Sequence, residues 1–159
     1  MKKALTGLWM VLACGVYSST LDAQDEPFLG TWDLDIAASN SGGEPPPSAM
    51  SRSYGDLGNG SYMYLVVSNN EDGSLGGSSA TYKFDGAQYP IASLNQTAQA
   101  SISYRMSNER NVEYTVTVNG EVTQIGAKTI SSNGSLLTIA IQFPNSNQEN
   151  QILRFNRRR

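Results

Sequence analysis

The sequence contains no histidine, and its single cysteine, Cys14, lies near the amino terminus. Zinc sites built from histidine and cysteine are therefore excluded, and so is nucleophilic catalysis that needs a histidine base. Charge is also scarce: charged residues make up 16% of the chain, and its net charge is −3. Because nucleic-acid binding depends on clustered lysine and arginine, we expect no nucleic-acid partner. We also expect neither a metal nor a cofactor.

Apolar runs long enough to span a membrane are absent, so we expect no transmembrane span. A shorter uncharged run, residues 4–13, follows Lys2 and Lys3, and a polar stretch then leads to Ala23. This order is typical of a secretory signal peptide that is cleaved after Ala23. The sequence therefore predicts a bacterial export signal and a periplasmic or secreted product.

A second interpretation of the amino terminus remains open. Val11-Leu12-Ala13-Cys14 resembles a bacterial lipoprotein cleavage box, in which Cys14 would carry a lipid anchor. The two interpretations differ in whether the exported product is soluble or anchored to a membrane. In the first, residues 1–23 are the signal peptide and residues 24–159 form a single domain of ordinary size.

Alternation of apolar and polar residues dominates the sequence from Gly30 onward. Successive side chains of a β-strand point to opposite faces, so this pattern is typical of strands with one apolar face. Asp-Gly and Asn-Gly pairs separate the alternating segments: Asp72-Gly73, Asp85-Gly86, Asn119-Gly120 and Asn133-Gly134. Such pairs favour tight hairpin turns and hence sequential antiparallel pairing. No segment shows a sustained helical period, so the predicted class is all-β.

A proline-rich segment at residues 39–48 interrupts the alternation. Pro45-Pro46-Pro47 lack three backbone donors, so the segment is predicted to be a loop after the first strand. An antiparallel meander exposes two edges unless the sheet closes on itself. Short connections between strands favour closure into an up-and-down barrel of about eight to ten strands.

The two ends of the predicted domain carry a further signal. Gly30-Thr31-Trp32 begins the first predicted strand, and Arg154 lies in the last one. This pairing resembles lipocalins, in which an arginine from the final strand covers a G-x-W tryptophan. The resemblance implies a lipocalin-like (calycin-type) barrel closed by Trp32 and Arg154, in which the guanidinium stacks on the indole and still donates to backbone carbonyls. Arg157-Arg158-Arg159 are expected to form a solvated tail.

A second resemblance covers most of the predicted domain. Gly30-Thr31-Trp32-Asp33-Leu34, the proline-rich loop and Phe84-Asp85-Gly86-Ala87-Gln88-Tyr89-Pro90 resemble a group of small exported bacterial proteins. Their pattern is G-T-W-x-L, a proline-rich loop and Y-D-G-x-x-Y-P, and this chain departs from it at Phe84. Those proteins are described as lipocalin-like, and no general activity is known for them. The resemblance therefore implies a fold and export, but no reaction.

Aromatic and aliphatic side chains fall on the predicted inward face of several strands. A small barrel either fills its interior or holds one small ligand, and tyrosine supplies apolar surface with a polar tip. The residues predicted to contact a ligand are Tyr64, Tyr82, Phe84, Ile102, Tyr104, Met106, Tyr114 and Val116. A filled interior without a cavity is the alternative.

One strand departs from strict alternation. Its apolar residues change parity near Gly126, which predicts a β-bulge there. The position of the bulge decides whether Gln124 or Lys128 points inward, and we expect Lys128 to be exposed beside it. A lysine inside a dry barrel would instead be a candidate base or Schiff-base amine.

These observations predict an exported lipocalin-like barrel that binds a small apolar or amphipathic ligand without catalysis. Two alternatives remain open. The first is an isomerase or cyclase that uses a tyrosine hydroxyl or Lys128 as acid or base on an apolar substrate. The second is an envelope interaction module with a filled barrel and a functional outer surface.

Overall fold

A computed structural model of the chain describes residues 26–94 and 97–159. The predicted signal peptide, residues 1–23, lies outside the described residues, and so does Cys14 with its alternative lipid anchor. Within the two described ranges, no helix has the length and apolar character needed to cross a membrane.

Across these ranges the chain forms ten β-strands: β1 (Gly30–Leu34), β2 (Ala49–Gly58), β3 (Ser61–Asn69), β4 (Leu75–Tyr82), β5 (Tyr89–Ser93), β6 (Ala100–Asn108), β7 (Asn111–Val118), β8 (Glu121–Ile130), β9 (Leu136–Gln142) and β10 (Gln151–Arg157). Each strand pairs antiparallel with its neighbours in sequence, and β1 also pairs with β10, so the sheet is a closed barrel. The predicted all-β, up-and-down barrel is confirmed.

The turn signals lie where the chain reverses. The four Asp-Gly and Asn-Gly pairs named above fall between consecutive strands, and so does Asn59-Gly60. Asn119 and Gly120 alone connect β7 to β8, with φ angles of 50° and 87°. Positive φ at both central residues is the geometry of a type I′ turn, which matches the twist of the strands it joins.

The sequence pattern does not predict β5. Pro90 is its second residue, and proline cannot donate a hydrogen bond to a neighbouring strand. Accordingly, β5 pairs with β4 only through Ser78–Ser93 and Ser79–Ala92. On its other side β5 pairs with β6 through its first three residues, and its residues Tyr89 and Ile91 pack against the core.

The two ends of the barrel differ in their connections and packing. The β2–β3, β4–β5, β6–β7 and β8–β9 connections lie at one end, with residues 26–29 and the end of β10; we call this the closed end. The other five connections, including the proline-rich segment between β1 and β2, lie at the opposite, open end. The most deeply buried large side chains are Trp32, Tyr104, Val112, Leu137, Ile139 and Phe155.

Candidate functional site: an open-ended cavity above Arg52 and Lys128

Trp32 is the centre of the closed end and has no exposed surface. Its indole nitrogen donates a 2.9 Å hydrogen bond to the carbonyl of Phe28. The guanidinium carbon of Arg157 lies 4.1 Å from the centroid of the Trp32 ring, close enough for a cation–π contact. The predicted stacking of an arginine on this tryptophan is therefore present.

Arg157 also ties three segments of the closed end together. Its Nε donates to the carbonyl of Gly134 at 2.7 Å, and its Nη1 donates to the carbonyl of Leu29 at 2.6 Å. Its Nη2 donates to the carbonyl of Pro27. One side chain thus links the end of β10 to the β8–β9 turn and to the segment before β1.

The arginine over Trp32 is Arg157 and not Arg154, so the expectation for Arg154 is wrong. Leu153 and Phe155 point into the barrel, and Arg154 between them points outward, where its Nη1 donates to the carbonyl of Ala38. Arg157 shares the parity of the two buried residues and therefore reaches the indole. The signal in the sequence that identifies Arg157 is the alternation along β10, which places it on the same face as Leu153 and Phe155.

The solvated tail expected at the carboxyl terminus is also wrong for two of its three arginines. Besides the contacts of Arg157, Arg158 donates from Nε to Asp33 at 2.8 Å and from Nη2 to the Ser51 hydroxyl at 2.9 Å. Asp33 and Arg158 are both exposed on the outer surface, where ion pairs contribute little to stability. They still hold the carboxyl terminus against β1 and β2.

A cavity of about 540 Å³ opens at the open end of the barrel. Five of the residues predicted to contact a ligand line it: Tyr64, Ile102, Tyr104, Tyr114 and Val116. Tyr82 and Phe84 instead line a separate void of about 10 Å³ toward the closed end, and Met106 packs against the core. The predicted set is thus divided between the cavity and the packing beneath it.

Two basic side chains, Arg52 and Lys128, also line the cavity. The sequence pattern favours an exposed Lys128 and gives no expectation for Arg52. Arg52 lies on β2 with the inward parity of Tyr54, opposite Trp32. Lys128 lies on β8 with the inward parity of Ile130 and is only 3% exposed, so the expectation that it is exposed is wrong. Alternation with buried neighbours was the available signal for both residues.

The bulge in β8 explains the position of Lys128. Val116 pairs with Gln124, but Thr117 pairs with Val122, so Thr123 is the extra residue. The bulge therefore lies before Gly126, and every second residue from Gln124 onward points inward. Both Gln124 and Lys128 line the cavity.

Gly126 is required because an aromatic ring occupies the space of a side chain. A Cβ built on Gly126 would lie 2.4 Å from the ring of Tyr114, which faces it across the β7–β8 pair. No larger residue fits without moving this buried ring. The glycine thus makes room for the Tyr114 ring, and the bulge predicted near Gly126 lies at Thr123.

The Lys128 ammonium lies in an aromatic environment at the inner end of the cavity. Its Nζ donates a 2.7 Å hydrogen bond to the Tyr104 hydroxyl. The same nitrogen lies between 4.3 and 5.7 Å from four ring centroids, those of Tyr104, Tyr54, Tyr114 and Tyr64. These rings stabilise a cation only in part. Burial, together with the charge of Arg52, lowers the pKa of Lys128 to about 8, although Tyr54 acts against this shift.

Arg52 and Tyr54 complete this cluster. The Arg52 guanidinium lies 5.5 Å from the Phe155 ring. Its Nε and the Tyr54 hydroxyl are buried, and among the described residues neither meets the geometry of a hydrogen bond. Burial raises the pKa of Tyr54, but the charges of Lys128 and Arg52 outweigh burial and lower it below the usual value. We call Arg52, Tyr54, Tyr104 and Lys128 the cationic floor.

Acidic groups are scarce around this floor. Among the described residues that line the cavity, Glu121 is the only carboxylate, and it lies exposed at the start of β8. Burial raises the pKa of Tyr104 and Tyr114, so both phenols stay neutral at ordinary pH. The arrangement can bind an anion or exchange a proton with a bound molecule. Over residues 26–94 and 97–159, no group of three acidic, histidine or cysteine side chains could hold a metal ion.

Comparison of the chain with protein-family models, with curated proteins and with solved structures finds no match. The resemblance to small exported bacterial proteins therefore stays a prediction.

Proposed function

We propose that this protein is an exported barrel that binds one small apolar or amphipathic molecule in its cavity and does not transform it. The cavity carries the proposal: its volume of about 540 Å³ lies in the range of small-molecule sites, roughly 300–1,000 Å³. Export through the signal peptide would place the protein in the periplasm or outside the cell.

The lining supports an amphipathic ligand in particular. Ile102, Val116, Ile141 and Phe143 give the wall an aliphatic and aromatic surface. The cationic floor gives the inner end a polar surface that donates hydrogen bonds. Ligand sites in proteins commonly combine an apolar wall with a few polar groups that fix orientation.

A neutral fluorescent probe tests ligand binding directly. We expect Nile red to bind the purified protein saturably and with one-to-one stoichiometry. Val116→Trp would fill the cavity and weaken binding roughly 10-fold or more, since overpacking leaves no room for the probe. Glu113→Trp, which places the same side chain at an exposed position of the same strand, is the matched control and should bind normally.

Two results would contradict the proposal: no saturable binding by the wild-type protein, or equal binding by wild type and Val116→Trp. Circular dichroism of both variants checks that they are folded. Native mass spectrometry of protein purified from its own host would then give the mass of any retained molecule.

A second candidate function is acid–base catalysis on the bound molecule. The observation that favours it is the 2.7 Å hydrogen bond between Lys128 and Tyr104, a titratable pair inside the cavity. Once a retained molecule is known, incubation with the wild-type protein should convert it, whereas Lys128→Met should bind it unchanged. Recovery of the same molecule from the wild type at all times would favour binding alone.

The interaction module with a filled barrel is supported less well, because the interior holds a cavity. The outer face of β3 does expose three alternating apolar side chains, Met63, Leu65 and Val67. Exposed apolar patches can mark association surfaces. Association of the ligand-free protein in sedimentation experiments would favour this face as an association surface.

A further inference from the structure

We propose that the cationic floor binds the acidic headgroup of the ligand, with the headgroup between Arg52 and Lys128 and the apolar tail extending toward the open end. The ligand class would then be a single-chain amphiphile that carries a carboxylate, phosphate or sulfate group. This inference rests on the proposed binding function and adds to it the charge and the orientation of the ligand.

The first argument is the imbalance of charge. Lys128 is buried, and Arg52 is half-buried with its Nε enclosed. Cations in such positions are normally paired with an acid, because an uncompensated charge is costly to remove from water. In the part of the chain that the structure describes, the cavity lining offers only Glu121 at the exposed rim. Tyrosine rings offset the charge of Lys128 in part, and so does the Tyr54 hydroxyl beneath the cavity, whose pKa the two cations lower. An anionic ligand would supply the missing negative charge.

The second argument is the unused hydrogen-bonding capacity. The Arg52 Nε is buried beside the cavity and lacks a well-formed hydrogen bond within residues 26–94 and 97–159. The Tyr54 hydroxyl lies beneath the cavity, at the small void, where it interacts with Arg52 and Lys128. Buried polar atoms in folded proteins are nearly always hydrogen bonded, so a free guanidinium nitrogen beside a cavity indicates a ligand. The planar fork of a guanidinium matches the oxygens of a carboxylate or phosphate.

The third argument is the position of the polar groups along the cavity. Lys128 and Tyr104 line both the cavity and the small void beneath it, so they form the boundary between the two. The headgroup would therefore enter first and the tail would lie along the apolar wall. A cationic headgroup would meet Arg52 and Lys128 and be repelled.

A proton-linked signal should accompany binding. The titratable and charged groups that face Lys128 are Arg52 and Tyr54 from β2, Tyr64 from β3, Tyr104 from β6 and Tyr114 from β7. An anion beside Lys128 would raise its pKa from about 8, so binding near pH 8.5 would take up a fraction of a proton. For the same reason, affinity for the anion should fall as the pH rises above about 8.

Isothermal titration calorimetry with single-chain probes tests the inference. The probes are dodecanoate, dodecyl phosphate, dodecanol and dodecyltrimethylammonium, each kept below its micelle-forming concentration. We expect at least one anionic probe to bind roughly 10- to 100-fold more tightly than dodecanol, and the cationic probe to bind more weakly than dodecanol. The two anionic probes distinguish a carboxylate site from a phosphate site.

Variants locate the source of this preference. Arg52→Met and Lys128→Met remove the charges and retain an unbranched apolar stem, so each should lose most of the preference for the anion while still binding dodecanol. Lys83→Met removes the same charge from the exposed β4–β5 connection and should retain the preference. An anion preference that survives in both Arg52→Met and Lys128→Met would overturn the inference.

The outcomes separate the two proposals. If dodecanol binds and neither anionic probe binds more tightly, the headgroup site is refuted and the ligand-binding function stands. If no probe binds and Nile red also fails, the binding function itself is refuted. Should either floor variant fail to fold, titrations of the wild type in buffers of different ionisation enthalpy decide: proton uptake near pH 8.5 supports the site, and its absence overturns it.

Discussion

Arg157 offers the sharpest test of how the barrel closes. Its guanidinium stacks on Trp32 and donates to the carbonyls of Gly134, Leu29 and Pro27. Arg157→Gln would remove the cation and shorten the side chain, so most of these contacts would be lost together. The partner carbonyls lie in partly buried segments and would be hydrated only in part.

The expected loss of stability follows from these contacts. A hydrogen bond from a charged donor contributes about 1.5–3 kcal/mol when it is well enclosed and less when it is partly exposed, and the cation–π contact contributes about 0.5–1 kcal/mol. Because the site is partly exposed and glutamine can still donate to one carbonyl, the simple sum is an upper bound. We expect the free energy of unfolding to fall by about 2–3 kcal/mol.

Urea unfolding followed by circular dichroism measures this loss, and Arg154→Gln is the matched control. Arg154 lies on the same strand but points outward, with one hydrogen bond to the carbonyl of Ala38. Its substitution should leave stability close to that of the wild type. A loss in Arg154→Gln as large as that in Arg157→Gln, or no loss in Arg157→Gln, would refute the proposed closure.

Three further predictions concern the interior and the amino terminus. Gly126→Ala should destabilise the barrel by about 1–3 kcal/mol, because its Cβ would lie 2.4 Å from the Tyr114 ring; a normal melting temperature and an unchanged near-ultraviolet spectrum would contradict this. The pKa of Lys128, about 8 in the folded state, lies below that of an unfolded lysine, so the unfolded state binds more protons above pH 8 and the free energy of unfolding should rise from about pH 8 to 9.5. Chemical unfolding of Lys128→Met should lack this rise and show higher stability at pH 7, and a rise equal to that of the wild type would contradict the assignment. Mass spectrometry of the exported protein should find a chain that begins at Gln24, whereas a lipid-modified Cys14 would establish the lipoprotein alternative.

The fold follows closely from local sequence patterns. Alternation defines the strands, and pairs such as Asn119-Gly120 place the reversals, because strand faces and tight turns depend on a few consecutive residues. The exception is β5, where Pro90 weakens the local signal and the pairing of neighbouring strands decides.

The candidate site could be predicted only in part. Tyr64, Tyr104 and Tyr114 share the inward parity of their strands, and the structure places all three around the cavity. An inward position of Arg52 and Lys128 is not predicted, because charged side chains are usually exposed and are therefore expected on the outer face of a strand. Their inward direction depends on strand parity, which for Lys128 is reset by the bulge at Thr123.

The sequence by itself determined that this chain forms a meander of short antiparallel strands, since alternation and turn residues act over a few positions. Only the tertiary structure decided that Arg157 covers Trp32, and that Arg52 and Lys128 meet Tyr54 inside the barrel. These contacts join residues far apart in the chain, so they depend on the register in which the sheet closes. That register is a property of all ten strands together.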